Sequence, residues 1–415
     1  MIRVLLVPSS DFLGHPFPQR HNQLFERIHD GKNFEIHVIR FTLFNRRSLK
    51  SNLVIHELDR TRNGSMATYY LSHMIQHAQE IRRIIRQESI DLVVLSNIAA
   101  PLAYSLMDEL SSMHIPIIFD LPDYYPTSAA GYIFDLKSTK GKLLTGTFDC
   151  MLRYLIKRAT AVTVASKPLL EYAKKAGARN ALHISNGISE SFLNLHCGQA
   201  LRDRLAIDDK EIVVGYLGSL EFWLDMKNLI EGLSLARRKG LPLKLLIIGK
   251  SLHTDYPKKV MGWLKNRGLE DLTIWHDFVP YEEAASYISS FNVGTIPFNA
   301  NDPTAYYAAP NKMWEYFSQM KPVISAPIPE ALNNDDCVLT ASTPEEYCKQ
   351  LIFATDSSEE IAFKVRNGYC KALTKTWDKS AREFESLICH LTNRQTAGPM
   401  LQPAECLSQA QWLTT

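Results

Sequence analysis

Lys312 and Glu315 stand three residues apart in Ala309-Pro310-Asn311-Lys312-Met313-Trp314-Glu315-Tyr316-Phe317. Pro310 or Asn311 can open a helix there, and Lys321-Pro322 closes it before a short apolar run. A lysine in the first turn opposes the helix dipole, so its placement makes sense where an anion binds. Glu315 shares the same helix face. A carboxylate beside a phosphate-binding lysine suits the two hydroxyls of a ribose, which donate to it. As a surface pair the two residues would make only an i,i+3 salt bridge. A second phosphate signal is Val214-Gly215-Tyr216-Leu217-Gly218-Ser219-Leu220, where a strand runs into a glycine-bearing loop and then a helix from about Met226. Gly218 lets backbone approach a ligand, and Lys227 can add a point charge. The spacing is not G-x-G-x-x-G, and a tight turn alone would also use that glycine.

Two further segments carry groups that move protons. The loop Ser9–His21 is polar and glycine-containing, and it follows the first strand. Gly14 permits close approach, Arg20 ends the stretch, and His15 or His21 can accept a proton. Phe119-Asp120-Leu121-Pro122-Asp123-Tyr124-Tyr125-Pro126 places two carboxylates at the end of a buried strand. Either can serve as the base for an attacking hydroxyl, with Asp123 the freer of the two; alternatively an aspartate here orients a histidine such as His15. Turn-forming aspartates would look the same in sequence. The acidic pairs Asp208-Asp209 and Asp335-Asp336 lack Asp-x-Asp spacing, and no His/Cys cluster replaces them. We therefore expect no metal and no cofactor, with lysine and helix dipoles carrying any diphosphate charge.

These segments need elements to hold them. Apolar runs that read as strands fall at Ile2–Val7, Glu35–Arg40, Leu53–His56, Leu92–Leu95, Ile115–Asp120, Ala161–Ala165 and Leu182–Ile184. A second series falls at Ile212–Leu217, Leu243–Ile248, Leu272–Trp275, Val293–Ile296, Pro322–Ser325 and Val338–Thr340. Helical patterns alternate with them, such as Leu71, Met74, Ile75, Ala78, Ile81 and Ile85 at three- and four-residue spacing. Strands apolar throughout, alternating with helices, mean parallel sheets covered on both faces. The prediction is two doubly wound domains, 1–188 and 189–370, meeting at a cleft beyond the strands' carboxyl ends. A helical pattern from Glu359 to His390 follows, whose part 371–391 can cross back to the first domain. The stretch 392–415 has no periodicity and is expected to be disordered.

The 46 basic and 44 acidic residues leave a formal charge of +2, which argues against a nucleic-acid binder. No apolar run approaches a membrane span, and no signal-peptide pattern opens the chain. Seven scattered cysteines without a CxxC pair suit free thiols and a cytoplasmic protein. Lysines and apolar residues mix between Leu136 and Arg158, a pattern that suits either a solvated helix or a peripheral contact with an anionic membrane face.

Taken in order, His183-Ile184-Ser185-Asn186-Gly187-Ile188, GYLGSLEFWLD, LLIIGKS, HDFVPYEE, FNVGTIPF and PNKMWEYFSQMKPVIS resemble the GT-B glycosyltransferases, near glycosyltransferase family 4. The Pro310, Lys312, Glu315, Tyr316 form is similar to a divergent branch of exopolysaccharide and surface-glycan transferases. The resemblance implies two Rossmann-like domains, a nucleotide-sugar donor on the second and a glycan or lipid-linked acceptor on the first. It implies that Glu315 binds the donor ribose and that Lys227 and Lys312 contact the diphosphate. The chain departs from the family at position 307, where an acidic residue would stand and Tyr307 does. The usual arginine–lysine pair is reduced to Lys227. Those departures leave the anomeric outcome open, and with it two other readings: a non-catalytic nucleotide-sugar or glycan binder, and a GT-B sugar-nucleotide epimerase.

Overall fold

The computed structural model describes residues 1–393 apart from Ser9, Asn45, 59–65, 97–99, 252–253 and Ser357. Most of the stretch expected to be disordered, with Cys406, lies outside the described residues. In the first domain β1 (Ile2–Val7), α1 (Arg20–Ile28), β2 (Phe34–Phe41), β3 (Val54–Leu58), α2 (Met66–Gln87) and β4 (Leu92–Ser96) come first. They are followed by α3 (Ala100–Ser112), β5 (Ile117–Leu121), α4 (Tyr125–Gly131), α5 (Thr139–Arg158), β6 (Ala161–Val164), α6 (Lys167–Lys175) and β7 (Ala181–His183). The second domain begins with α7 (Gln199–Arg204), β8 (Ile212–Leu217), α8 (Met226–Arg238), β9 (Leu243–Ile248), α9 (Tyr256–Asn266) and β10 (Thr273–His276). It continues through α10 (Ala284–Ser289), β11 (Val293–Ile296), α11 (Pro303–Tyr306), α12 (Asn311–Ser318), β12 (Val323–Ser325), α13 (Pro329–Leu332), β13 (Val338–Thr340) and α14 (Pro344–Ala354). Two helices close the described chain, α15 (Glu359–Leu373) and α16 (Trp377–Leu391).

All strand pairs are parallel, in the orders β3-β2-β1-β4-β5-β6-β7 and β10-β9-β8-β11-β12-β13. Each order reverses between its first strand and the fourth of its own series. That switch point opens a crevice at the strands' carboxyl ends, where the loops after β1 and β8 emerge. The apolar runs in the sequence sit on these strands with ends shifted by a residue or two. β5 starts at Ile117 and not Ile115, because Pro116 has no N–H to give the ladder.

Two expectations change. Ile75 is 69% exposed, while His77, Ala78 and Ile81 are buried, so the buried stripe of α2 passes through a histidine. The side chain of Leu71 lies outside the described residues. The helical pattern 359–390 is broken at Thr374-Lys375-Thr376, where the chain crosses between domains. Ile188 N donates to Lys375 O at 2.7 Å and Trp377 N to Ile188 O at 3.2 Å, so the two crossings run side by side. Thr376 then caps α16 through Lys379 N. α15 packs on α12, whereas α16 packs on α1, with the rings of Phe25 and Phe384 5.2 Å apart. Phe384, Leu387 and Ile388 join the first domain's core, each buried side chain of that size contributing roughly 1.5–3 kcal/mol. Among the described residues no helix is long and apolar enough to cross a membrane.

Candidate active site

A cleft of about 320 Å³ lies between the domains. Its first wall is Phe17–His21, Gln23, Pro122, Asp123 and Asn186; its second includes Leu217–Ser219, Ile248, Phe278, Val279, Tyr281, Asn311, Lys312 and Glu315. The second wall is built by α12, whose first turn opens into the cleft. Lys312 Nζ sits 4.3 Å from the centre of the Tyr216 ring and 3.3 Å from its hydroxyl. Tyr216 is fixed by donating to Ser219 O at 2.6 Å. Gly218 has φ +131°, a backbone conformation that side-chain-bearing residues rarely adopt, and its missing Cβ leaves room for Lys312 Nζ, which would otherwise lie within 2.7 Å. Burial pushes the Lys312 ammonium down to about 7, with the Glu315 charge opposing. Burial likewise pushes the Glu315 carboxyl up to about 7, with Lys312 opposing. The two groups form no ion pair with each other. Asn311 Oδ1 is buried without a hydrogen-bond partner among the described residues, the sort of acceptor a ligand satisfies.

The first wall is organised around Asp120. Its carboxylate is fully buried and accepts from Arg20 Nε at 3.1 Å, from Thr163 Oγ1 at 2.7 Å and lies 3.0 Å from His21 Nε2. Burial alone would raise its pKa, but the charge of Arg20 and the contact with His21 hold it well below the usual carboxylate range. Asp120 therefore anchors two cleft residues and does not itself line the cleft, which corrects its reading as an available base. Arg20 carries the network onward: Nη1 donates to Asn186 Oδ1 at 2.9 Å, and Asn186 Nδ2 donates to Ala309 O at 3.2 Å on the second domain. Asp123 does line the cleft and its side is open to it. The protein walls around it raise its carboxyl above the ordinary value, Arg20 opposing and the Asp120 charge adding.

Three expected residues sit elsewhere. His15 Nδ1 is 3.0 Å from both Phe17 O and Gln19 Nε2, and the ring is outside the cleft lining. Gly14 serves its own loop: a Cβ would meet the Asp11 carboxylate at 2.4 Å, and Gly14 N donates to Asp11 Oδ1 at 2.9 Å. Buried Asp11 also takes Arg40 Nε and Phe44 N, which pins the loop from behind. Lys227 is exposed in the first turn of α8 and does not line the cleft. It sits two residues past the Asp225 cap. The sequence offers His21 only as an alternative to His15, and gives Asn186 and Asn311 no ligand-binding role. The signals were present in part: His21 adjoins Arg20, Asn186 sits in the Ser185-Asn186-Gly187 turn, and Asn311 opens α12. Among the described residues no group of three or more His, Cys, Asp or Glu is gathered for a metal.

Residues 211–357, which hold β8 to α14, match the family described as Glycosyl transferases group 1. No curated protein matches the chain. Solved structures do. Sucrose-phosphate synthase from Thermosynechococcus elongatus superposes with a TM-score of 0.76 at 15% identity, over 95% of this chain and 100% of that one. Anabaena HepE in complex with UDP and glucose gives 0.69 at 14%, over 94% and 100%. An α,α-trehalose-phosphate synthase (UDP-forming) from Burkholderia xenovorans, in complex with glucose-6-phosphate, gives 0.69 at 9%, also over 94% and 100%. At these identities the likeness is one of fold, and the fold is GT-B.

Proposed function

We propose that this chain, a transferase of GT-B fold with a glycosyl transferase group 1 domain in its second half, moves a sugar from a nucleotide-diphosphate donor to a glycan or lipid-linked acceptor. The observation that carries the reading is α12: Asn311, Lys312 and Glu315 converge on one end of a helix that opens into the interdomain cleft. Lys312 and the first-turn N–H groups take the diphosphate, and Glu315 accepts from the ribose hydroxyls. Ile248, Phe278 and Val279 offer an apolar wall for the base. HepE, bound to UDP and glucose, supports a uridine-type donor. The diphosphate charge is met by lysine and helix dipole, so a chelator leaves turnover unchanged in this reading.

Asp123 takes the acceptor proton, since it is open to the cleft and its raised pKa makes it a better base. A second assignment is favoured by one contact, the 3.0 Å approach of His21 Nε2 to Asp120, which would let that histidine serve instead. Asp123→Asn and His21→Gln separate the two by which one stops turnover. If neither does, the donor phosphate assists a front-face, retaining reaction, and the product's anomeric configuration shows it.

The acceptor end supports a surface-glycan role at the cytoplasmic membrane face. Leu143 is 72% exposed, Ile133 42% and Phe134 40%, beside exposed Lys137, Lys140 and Lys142. They lie between the end of α4, which begins two residues after Asp123, and the first turns of α5, so an anionic bilayer bound there would hold a lipid-linked acceptor on the side of the chain that carries Asp123. Titration calorimetry with a panel of nucleotide sugars, run beside a turnover assay on membrane extract, tests the whole reading. Binding with transfer supports it; binding without transfer makes the chain a sugar-nucleotide binder, and turnover without acceptor makes it an epimerase.

A further inference from the structure

Tyr307 belongs by sequence to the second domain, directly after α11, yet its half-buried ring packs against the core of the first. It lies 4.9 Å from the ring of Tyr124 and 5.6 Å from that of Tyr172. Those two rings form an edge-on pair 5.4 Å apart. Both their hydroxyls donate to Asp149 Oδ1, at 2.8 and 2.6 Å. Arg153 Nε holds the other carboxylate oxygen at 2.7 Å, and its guanidinium lies 5.0 Å from the Tyr172 ring. Every contact among these four residues is internal to the first domain. They form a socket that owes nothing to Tyr307.

The backbone around the ring is attached to the first domain as well. Ser166 Oγ donates to Tyr307 O at 2.7 Å. Two residues on, Ala309 O accepts from Asn186 Nδ2 at 3.2 Å, and Asn186 is itself tied through Arg20 to Asp120. Three attachments thus fall on the segment 307–309, immediately before Asn311 and Lys312. The socket residue Tyr124 immediately follows Asp123. One ring thus joins the stretch that carries Asp123 to the stretch that carries Lys312. The ring is accompanied by its own carbonyl and by that of Ala309, both held from the first domain.

We propose that Tyr307 is a positioning residue that keeps the acceptor wall and the donor helix in register across the cleft. The role goes beyond the glycosyl-transfer reading while resting on it, and it touches neither donor nor acceptor. In Tyr307→Ala, turnover should fall by about tenfold or more, because a displacement near 1 Å can cost roughly a hundredfold. UDP affinity by calorimetry should stay within about threefold, since the nucleotide's contacts are on the second domain. Tyr307→Phe keeps the ring and should restore turnover. Hydrogen exchange on the full chain without ligand reads the same coupling independently of activity. In Tyr307→Ala the amides of α4 and of 307–313 should exchange faster together, with β1 and β8 unchanged. Wild-type turnover and wild-type exchange in Tyr307→Ala would overturn the proposal. So would a loss of UDP affinity in step with turnover, which would make Tyr307 a support of the donor site alone. If Tyr307→Ala does not fold, Tyr307→Leu fills the volume without the aromatic ring and takes its place in both measurements. If the wild type turns over no nucleotide sugar, the transfer reading falls, and the paired exchange response alone decides the coupling.

Discussion

The two walls of the cleft hold buried charge in opposite ways. On the first, Asp120 is surrounded by Arg20, His21 and Thr163, and its pKa is driven down. On the second, Lys312 and Glu315 make no ion pair, and burial moves both toward neutrality. A buried charge with every partner in place is architecture: it keeps Arg20 and His21 where they stand. Lys312 has the Tyr216 hydroxyl at 3.3 Å and the Tyr216 ring at 4.3 Å but no countercharge, and Glu315 has no paired cation, which suits the phosphate and ribose of the proposed donor. The contrast marks one wall as fully paired and fits the other to the proposed donor.

Asp123 is the sharpest place to break that contrast, because it belongs to the first wall but opens to the cleft. Asp123→Asn should lower turnover by roughly 10²–10⁴-fold while UDP-glucose affinity is kept. Unchanged turnover would leave the first wall purely structural. Asp120→Asn comes next. Removing one partner of a buried ion pair costs about 3–5 kcal/mol, read as a lower urea midpoint at neutral pH. The sign with pH follows from the depressed pKa. Asp120 contributes stability above the ordinary aspartate value of 3.8 and loses it as pH falls through its lower folded value. The gap between wild type and Asp120→Asn should therefore close under acid; a gap that persists there would show that the loss is packing and not charge.

The same contrast explains what was legible in the sequence. The strands were, because parallel strands covered on both faces are apolar almost throughout, and Val, Ile and Leu runs announce them. Lys312 and Glu315 were, because a cation in a helix's first turn is anomalous without an anion. The first wall was harder. Asp120 and Asp123 looked equivalent, and only packing separates them: Thr163 and Arg20 arrive from 43 and 100 residues away in sequence. His15 and His21 were indistinguishable for the same reason. Gly14 looked like room for a ligand but is room for Asp11, a neighbour whose own burial depends on Arg40. Ile75 fits a helical stripe and is exposed, because His77 takes the buried place. Local spacing carries the elements and α12; long-range pairing, which spacing does not encode, decides which acid is an anchor.

On the second wall the expected losses are in affinity. Lys312→Ala and Glu315→Ala should each weaken UDP-glucose binding about ten- to a hundredfold, since a charge-assisted hydrogen bond contributes about 1.5–3 kcal/mol. Calorimetry checks it. Wild-type affinity in both variants would mean the donor does not sit on α12.

The smallest effect is also the one that reports most directly on unpartnered charge. A bound diphosphate needs Lys312 protonated, and ribose hydroxyls need Glu315 ionised, yet burial pushes the one down and the other up to about 7. Binding therefore takes up a proton at the lysine and releases one at the glutamate. Affinity is lost as pH rises through the lysine's value and lost again as pH falls through the glutamate's, a bell centred near 7. Each limb is limited to one proton, so its slope cannot exceed about tenfold per pH unit. UDP-glucose is the right probe, because its diphosphate diester does not titrate in this range. Glu315→Gln should abolish the acid limb. It should also move the alkaline limb to lower pH, because the Glu315 charge is what props up the Lys312 ammonium against burial. Asp120, already ionised and enclosed, gives no such limb between about pH 6 and 8. A flat profile in the wild type would show that the second wall is as fully paired as the first, and the contrast between them would be gone.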